Sequence, residues 1–128
     1  MKSMTRAVYY LPAVVPAAVI AVLSLQENPF LPDVMQTWSD KTLHVLAYAG
    51  LAFCGMAGLY MDGRRRCRHY AWAWAASVAY GGLMEVLQAT CTETRAADWL
   101  DVWADMAGAG AGIAVFYLCV RCIALIHR

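Results

Sequence analysis

Four long apolar runs, separated by short polar segments, dominate the pattern of hydrophobic and polar positions along the chain. They cover residues 8–25, 43–61, 70–89 and 102–126. A helix that crosses the hydrocarbon core of a bilayer needs about 20 mostly apolar residues, and each run approaches or reaches that length. The pattern therefore predicts an all-α, polytopic membrane protein. Its four transmembrane helices form a bundle, within a single transmembrane domain of residues 1–128.

The first run has a second interpretation, because Lys2 and Arg6 before it resemble the basic start of a cleaved signal peptide. The run is long, however, and no clear small-x-small cleavage site precedes Gln26. We therefore expect a retained helix, loosened near Pro12 and Pro16, which membranes tolerate where neighbouring helices satisfy the freed carbonyls.

Composition agrees with a membrane protein and narrows the chemistry. The chain is 62% hydrophobic and 15% charged, whereas soluble domains contain roughly 45–50% apolar and 25% charged residues. The net charge of +1 is uninformative about nucleic acid, but no base-reading motif is present, so we expect no nucleic-acid partner. Five scattered cysteines imply no disulfide framework, and Cys119 and Cys122 lie inside an apolar run, where packing is the simpler role. We predict no cofactor and no metal ion.

The distribution of basic residues predicts the orientation. The acidic or mixed segments lie between the first and second runs and between the third and fourth. By the positive-inside rule, the opposite segments face the cytoplasm. Both termini would then be cytoplasmic in a multi-pass protein of the cell membrane, on the side that carries Lys2, Arg6, Arg64–Arg66, Arg68, Arg121 and Arg128.

Ionisable residues inside the apolar runs mark the candidate site. A carboxylate at the centre of a spanning helix costs roughly 2.5–3.5 kcal/mol on insertion scales, and Glu85, Asp101 and Asp105 lie close together in sequence. His44 lies one turn below Asp40, so three helices would place polar groups at one level near the outer face. Small residues at four-residue spacing in the last run, Ala104, Gly108 and Gly112, favour the close helix contact that this convergence needs.

These residues occur in elements that resemble the VanZ-like membrane proteins, a family named for a teicoplanin-resistance protein. The first element is D-K-x-x-H-x-x-x-Y, residues 40–48, and the second is Y-G-x-x-x-E-x-x-Q, residues 80–88. The third comprises Arg95, Asp101, Gly108 and Gly112. The resemblance extends from residue 40 to residue 112 and implies a small polytopic membrane protein, but it supplies no biochemical activity.

One position departs from the family pattern. The family usually has asparagine four residues after the aspartate of the third element, and this chain has Asp105. An amide both donates and accepts hydrogen bonds, whereas a carboxylate donates only when protonated. Asp101 and Asp105 share one helix face, so we expect them to be electrostatically coupled.

Two interpretations of the polar residues remain open. In the structural one, Glu85 pairs with Lys41 or Arg95, Asp101 caps its own helix, and His44 donates to a backbone carbonyl. In the functional one, the same groups line a pocket, because ionisable residues within a membrane are candidates for function. The predicted binding residues are Asp40, Lys41, His44, Tyr48, Glu85, Gln88, Arg95, Asp101 and Asp105.

The functional interpretation allows two classes of activity. The first is a protein that binds or modulates a membrane lipid or lipid-linked cell-envelope precursor at the outer face, with a link to glycopeptide sensitivity. The second is a membrane-embedded enzyme acting on a lipid-linked substrate, with His44, Glu85 and Asp101 as catalytic candidates. In that case Asp101 and Asp105 could hold a divalent metal ion, although no motif with specific metal-ligand spacing is present.

Overall fold

The computed structural model describes residues 6–27, 31–36 and 38–127, and every regular element in this part of the chain is helical. A 3-10 turn, Val8–Tyr10, leads into α1, Leu11–Leu25. A short helix, α2, covers Asp33–Gln36. The three remaining helices are long and are joined by short loops: α3, Asp40–Met61; α4, Cys67–Cys91; and α5, Trp99–Ile126.

Local sequence signals explain where these helices begin. Ser39 caps α3 by accepting a hydrogen bond from the backbone N–H of Thr42, and Asp98 caps α5 by accepting from the N–H of Leu100. Pro12 lies in the first turn of α1, where a missing N–H breaks no helical hydrogen bond. Pro16 lies within the same helix, as the sequence indicated.

Three of the helices, α3, α4 and α5, are slightly longer than the apolar runs that predicted them, whereas α1 begins after the 3-10 turn and is shorter than its run. Among the described residues, three helical segments are long and apolar enough to cross a membrane: Val8–Leu25, Asp40–Met61 and Trp99–Ile126. The fourth long helix, α4, has 25 residues but is not among these segments. Its charged start and its buried Ser77, Glu85 and Gln88 make it more polar than the others.

The most extensive helix contact joins α3 and α5. Gly108 and Gly112 lie directly against the backbone of Val45 and Ala49, so that a Cβ atom at either glycine would overlap α3. The small residues of the last apolar run therefore bring two backbones together as predicted. Gly110 lies outside this contact, with only the Trp74 indole near the position of a Cβ atom.

Two apolar clusters fill the bundle on either side of its middle. One is formed by Ile20, Tyr48, Leu51 and Met84, which come from α1, α3 and α4. The other is formed by Met56, Ala73 and Phe116, with the rings of Phe53, Tyr60 and Tyr70 packed around Phe116. The first cluster supports the polar groups described below.

The N-terminal segment and the arginine loop meet at one end of the bundle, here called the arginine end. Asp62, at the end of α3, accepts a hydrogen bond from Tyr10 at 3.2 Å and contacts Arg6 at 3.4 Å and Arg64 at 3.1 Å. These basic residues therefore lie together, which is the grouping that the orientation prediction uses. The expectations for Lys2 and Arg128 fall outside the described residues.

Candidate functional site

At the opposite end of the bundle, the starts of α3 and α5 meet the end of α4, and their ionisable side chains converge. Lys41 donates to Asp98 over 2.6 Å and also contacts a carboxylate oxygen of Asp101. Asp40 lies beside His44 and Asp101. We call the whole group the polar cluster, and it consists of Asp40, Lys41, His44, Glu85, Asp98, Asp101 and Asp105. Its side of the molecule is the cluster end.

His44 lies between the two aspartates of α5. Its Nδ1 is 2.7 Å from Oδ1 of Asp105, and its Nε2 is 3.7 Å from Oδ2 of Asp101. An ionised carboxylate only accepts hydrogen bonds, so this contact requires the proton on Nδ1 when Asp105 is ionised and allows it on the carboxyl group when Asp105 is protonated. The longer distance to Asp101 is beyond that of a hydrogen bond. The pair of aspartates that the sequence placed on one helix face thus brackets one imidazole.

Asp105 is the deepest member of the polar cluster, with no exposed surface. Its Oδ2 has no hydrogen-bond partner in the described part of the chain and lies against the Cα of Gly81 in α4. A Cβ atom at Gly81 would collide with this carboxylate. Gly81, the glycine of the second sequence element, therefore makes room for Asp105 of α5.

Glu85 is 3% exposed and faces the bundle interior, as predicted. Its Oε2 accepts from the backbone N–H of Asp98 over 2.8 Å, while its Oε1 has no partner among the described residues. Neither expected ion pair of Glu85 forms, because Lys41 binds Asp98 and Asp101 instead. Likewise, His44 contacts a carboxylate rather than the backbone carbonyl that the structural interpretation suggested.

Tyr48 stacks on His44, with ring centroids 6.1 Å apart and an interplanar angle of 8°. It is only 1% exposed, yet its hydroxyl has no hydrogen-bond partner in the described part of the protein. An unpaired buried hydroxyl costs about 1–3 kcal/mol. Tyr48 therefore carries an unsatisfied polar group inside the bundle.

Gln88 and Arg95 are tied to the end of α1. The Gln88 amide donates to the Ser24 carbonyl over 3.1 Å, and Nη1 of Arg95 donates to the same carbonyl over 3.1 Å. A cation is favourable there, since the last carbonyls of a helix carry partial negative charge. These residues thus secure α1 to the cluster end in addition to lining the space beside it.

That space is a cavity of about 350 Å³ between α1 and α3, which we call the cluster-side cavity. Leu43, Ala47 and Ile20 form part of its apolar wall. Its polar lining is concentrated near the cluster end and consists of Ser24, Asp40, His44, Tyr48, Gln88 and Arg95. Five of the nine predicted binding residues line this cavity, whereas Lys41, Glu85, Asp101 and Asp105 lie behind it.

A larger cavity of about 550 Å³ lies nearer the arginine end, between α1, α3 and α4. Its lining is mostly alanine and other apolar residues, with Arg64 and Tyr10 among the few polar ones. Both of these bind Asp62. The larger cavity is therefore mainly apolar, whereas the smaller one combines an apolar wall with a group of polar side chains.

Lys41 stabilises the ionised form of Asp98 in the loop before α5. The hydrogen bond from Lys41, followed by that from the Leu100 N–H, lowers the pKa of Asp98 below its ordinary value. Asp98 therefore stays ionised and holds the Lys41 ammonium in place.

Sequence reasoning did not select Asp98 or Gly81 as site residues. Asp98 joins three elements, because its side chain binds Lys41 and caps α5 while its N–H donates to Glu85. The signal for it was its position directly before an apolar helix, where a capping aspartate is common. Gly81 carried no signal by itself, since its role depends on a partner 24 positions away in sequence.

With this arrangement established, comparison with known proteins is informative. A family model described as VanZ/LLP1 matches residues 2–120, almost the whole chain. The chain belongs to the VanZ/LLP1 family. The match covers all three sequence elements and the helices that carry them, so the resemblance noted from the motifs is confirmed. Corresponding searches find no match among curated proteins or solved structures.

Within this VanZ/LLP1 protein, the three elements meet at one place. The first supplies Lys41, His44 and Tyr48 from α3, and the second supplies Gly81 and Glu85 from α4. The third supplies the aspartates and the glycines of α5. The family elements are thus the parts of one polar cluster, together with the helix contact that holds it.

Proposed function

We propose that this VanZ/LLP1 protein binds a membrane lipid or a lipid-linked cell-envelope precursor in the cluster-side cavity. The cavity carries the proposal because an apolar wall of α1 and α3 leads to a polar end. A volume of about 350 Å³ lies in the range of ligand sites, roughly 300–1,000 Å³, and accommodates part of a lipid chain. The rest of the lipid would remain in the bilayer.

Available hydrogen-bonding groups favour a headgroup with both anionic and donor atoms. Arg95 uses Nη1 on α1 carbonyls, and its guanidinium has further N–H groups for a phosphate. Asp40 is exposed at the mouth and accepts from hydroxyl or amine groups. Tyr48 adds its unpaired hydroxyl. Lys41 is not part of this set, because two carboxylates already hold its ammonium.

We further propose that all four long helices cross the membrane, with both termini in the cytoplasm and the cluster end at the outer face. Support comes from the basic residues gathered around Asp62 at the arginine end. It also comes from α4, a helix of 25 residues that contacts both α3 and α5. The cluster-side cavity would then open toward the outer leaflet, where cell-envelope precursors are used and glycopeptides act.

Filling the cavity tests the lipid proposal. In Ala47→Phe, an aromatic ring enters the cluster-side cavity; in the matched control Ala13→Phe, it enters the larger cavity. We expect lipid extracted from purified protein to fall to background in Ala47→Phe and to remain at the wild-type level in Ala13→Phe. Equal lipid content in both variants and the wild type would contradict the proposal.

A second candidate function is catalysis on a lipid-linked substrate, and the contact between His44 and Asp105 favours it. A carboxylate on Nδ1 orients the imidazole and leaves Nε2 to accept a proton from a substrate in the cavity. Glu85 does not line the cavity, so His44 is the better placed general base of the two. In a binding protein, His44→Gln would weaken lipid retention only. In an enzyme, it would leave an unprocessed lipid bound, which mass spectrometry of the extract identifies.

A further inference from the structure

The polar cluster holds more carboxylates than cations. Within the described part of the chain, these carboxylates form ion pairs with Lys41 and His44 alone. At a site of low dielectric, such a surplus of negative charge is costly unless a further cation is bound. The carboxylates are those of Asp40, Glu85, Asp98, Asp101 and Asp105.

We propose that Asp40, His44 and Asp101 form a binding site for a divalent transition-metal ion such as Zn²⁺. Each offers one donor atom, and these atoms lie within 4.8 Å of one another. Two ligands that are each about 2.0–2.1 Å from zinc are separated by roughly 3–4 Å. The 3.7 Å between Nε2 of His44 and Oδ2 of Asp101 fits this spacing. A small rotation of the exposed Asp40 side chain completes the set.

Secondary contacts hold two of these ligands in the required state. Nδ1 of His44 donates to Asp105, which leaves the Nε2 lone pair directed away from that bond. Metal-binding histidines commonly use a carboxylate on the other ring nitrogen in this way. Asp101 divides its oxygens, with Oδ1 on Lys41 and Oδ2 toward His44. Lys41 therefore positions Asp101 without covering the oxygen that the metal needs.

An independent observation indicates that a ligand belongs beside this site. Tyr48 stacks on His44 and lines the same cavity as Asp40 and His44. It is 1% exposed, and its hydroxyl has no partner in the described part of the chain. A metal ion with three protein ligands keeps open positions for water or an anion. A metal-bound water or phosphate oxygen in the cavity would supply the partner that Tyr48 lacks.

Donor chemistry selects the class of metal. One imidazole and two carboxylates suit zinc and other first-row transition ions, whereas magnesium prefers oxygen ligands and keeps its waters. The ion would also offset two of the negative charges in the cluster. This inference stands whether or not the cavity holds a lipid, because it depends only on side chains of the polar cluster.

Zinc titration of metal-free protein in detergent tests the site, with a purification tag that contains no histidine. We expect one Zn²⁺ per chain by elemental analysis, and no displacement by an equal concentration of Mg²⁺. Asp40→Asn and His44→Gln should each weaken Zn²⁺ binding about tenfold or more, a change of about 1.4 kcal/mol. The matched control is Glu93→Gln, which removes an exposed carboxylate at the same end and should leave binding unchanged.

Asp40→Asn keeps the test decisive even if the more buried His44→Gln does not fold. Asp40 is exposed in the first turn of α3, so we expect its replacement by asparagine to preserve the fold. Wild-type protein that binds no Zn²⁺ would overturn the proposal. Binding that survives both Asp40→Asn and His44→Gln would also overturn it, because the ion would then lie elsewhere, for instance on the five free cysteines.

Discussion

Two neighbouring glycines of α4 provide a sharp test of how the polar cluster is built. A Cβ atom at Gly81 would lie 3.0 Å from Cγ and 3.2 Å from Cβ of Asp105, and closer still to Oδ2. At Gly82, no atom lies within 4 Å of the same position. Asp105 has no exposed surface and is fixed by His44, so it cannot move away freely.

The expected magnitudes follow from this difference in space. Replacing glycine by alanine in a helix interior contributes up to about 1 kcal/mol of helix propensity, and this gain is common to both positions. Overpacking at Gly81→Ala costs about 1–3 kcal/mol. We therefore expect the free energy of unfolding of Gly81→Ala to be about 1–3 kcal/mol lower than that of Gly82→Ala.

Thermal unfolding in a mild detergent measures this difference, which corresponds to a separation of roughly 4–12 °C in Tm for a chain of this size. A second background isolates the cause. In Asp105→Ala, the carboxylate is gone and only the Cβ contact at 3.2 Å remains, so adding Gly81→Ala should then cost much less. If Gly81→Ala is as stable as Gly82→Ala, or if its cost persists without Asp105, the close approach of α4 and α5 described here is wrong.

Three further predictions address charge and orientation. Asp105→Asn should be neutral or stabilising in detergent by about 1 kcal/mol, because its amide oxygen still accepts from His44 while one like charge is removed; a clear loss of stability, with and without added divalent metal, would contradict this. The pKa of Asp98 is lowered in the folded protein, so its ionised carboxylate stabilises the fold above the ordinary pKa of 3.8, and this effect is lost as pH falls through the lower folded pKa. The Tm of wild-type protein should therefore drop more between pH 5 and strongly acidic pH than the Tm of Asp98→Asn. Parallel curves of Tm against pH for the two proteins would refute the linkage. A membrane-impermeant thiol reagent should label exposed Cys91 in intact cells and should not label a cysteine introduced at Gly63; the reverse pattern would show that the orientation is inverted.

Long-range apolar pattern made the helices predictable. Spacing of small residues in the last run also predicted a close helix contact at Gly108 and Gly112, and the structure shows that its partner is α3. The apolar pattern and the small-residue spacing are each repeated along one segment, so they can be recognised without knowing which helix that segment contacts. The boundaries moved outward by a few residues because capping by Ser39 and Asp98 extends α3 and α5 into the polar loops.

Pairing within the polar cluster was not predictable in the same way. Sequence placed Glu85 level with His44 and Asp105 and placed Lys41 in the layer above, but the rotation of each helix about its axis decides which groups touch. Lys41 reaches the start of α5, and Glu85 binds a backbone N–H instead. Similarly, the place of Asp105 depends on the missing side chain of Gly81, a relation between two helices that no single stretch of sequence contains.

A photoactivatable lipid tests most directly whether the cluster-side cavity holds a lipid chain. The probe is a phospholipid with a diazirine in its acyl chain, added to protein in vesicles and analysed by peptide mass spectrometry after illumination. We predict cross-links concentrated at residues 19–24 and 43–48, which line the cavity, and we predict their loss in Ala47→Phe. Cross-links spread evenly over lipid-facing residues such as Val115 and Leu118, and unchanged in Ala47→Phe, would contradict binding in the cavity.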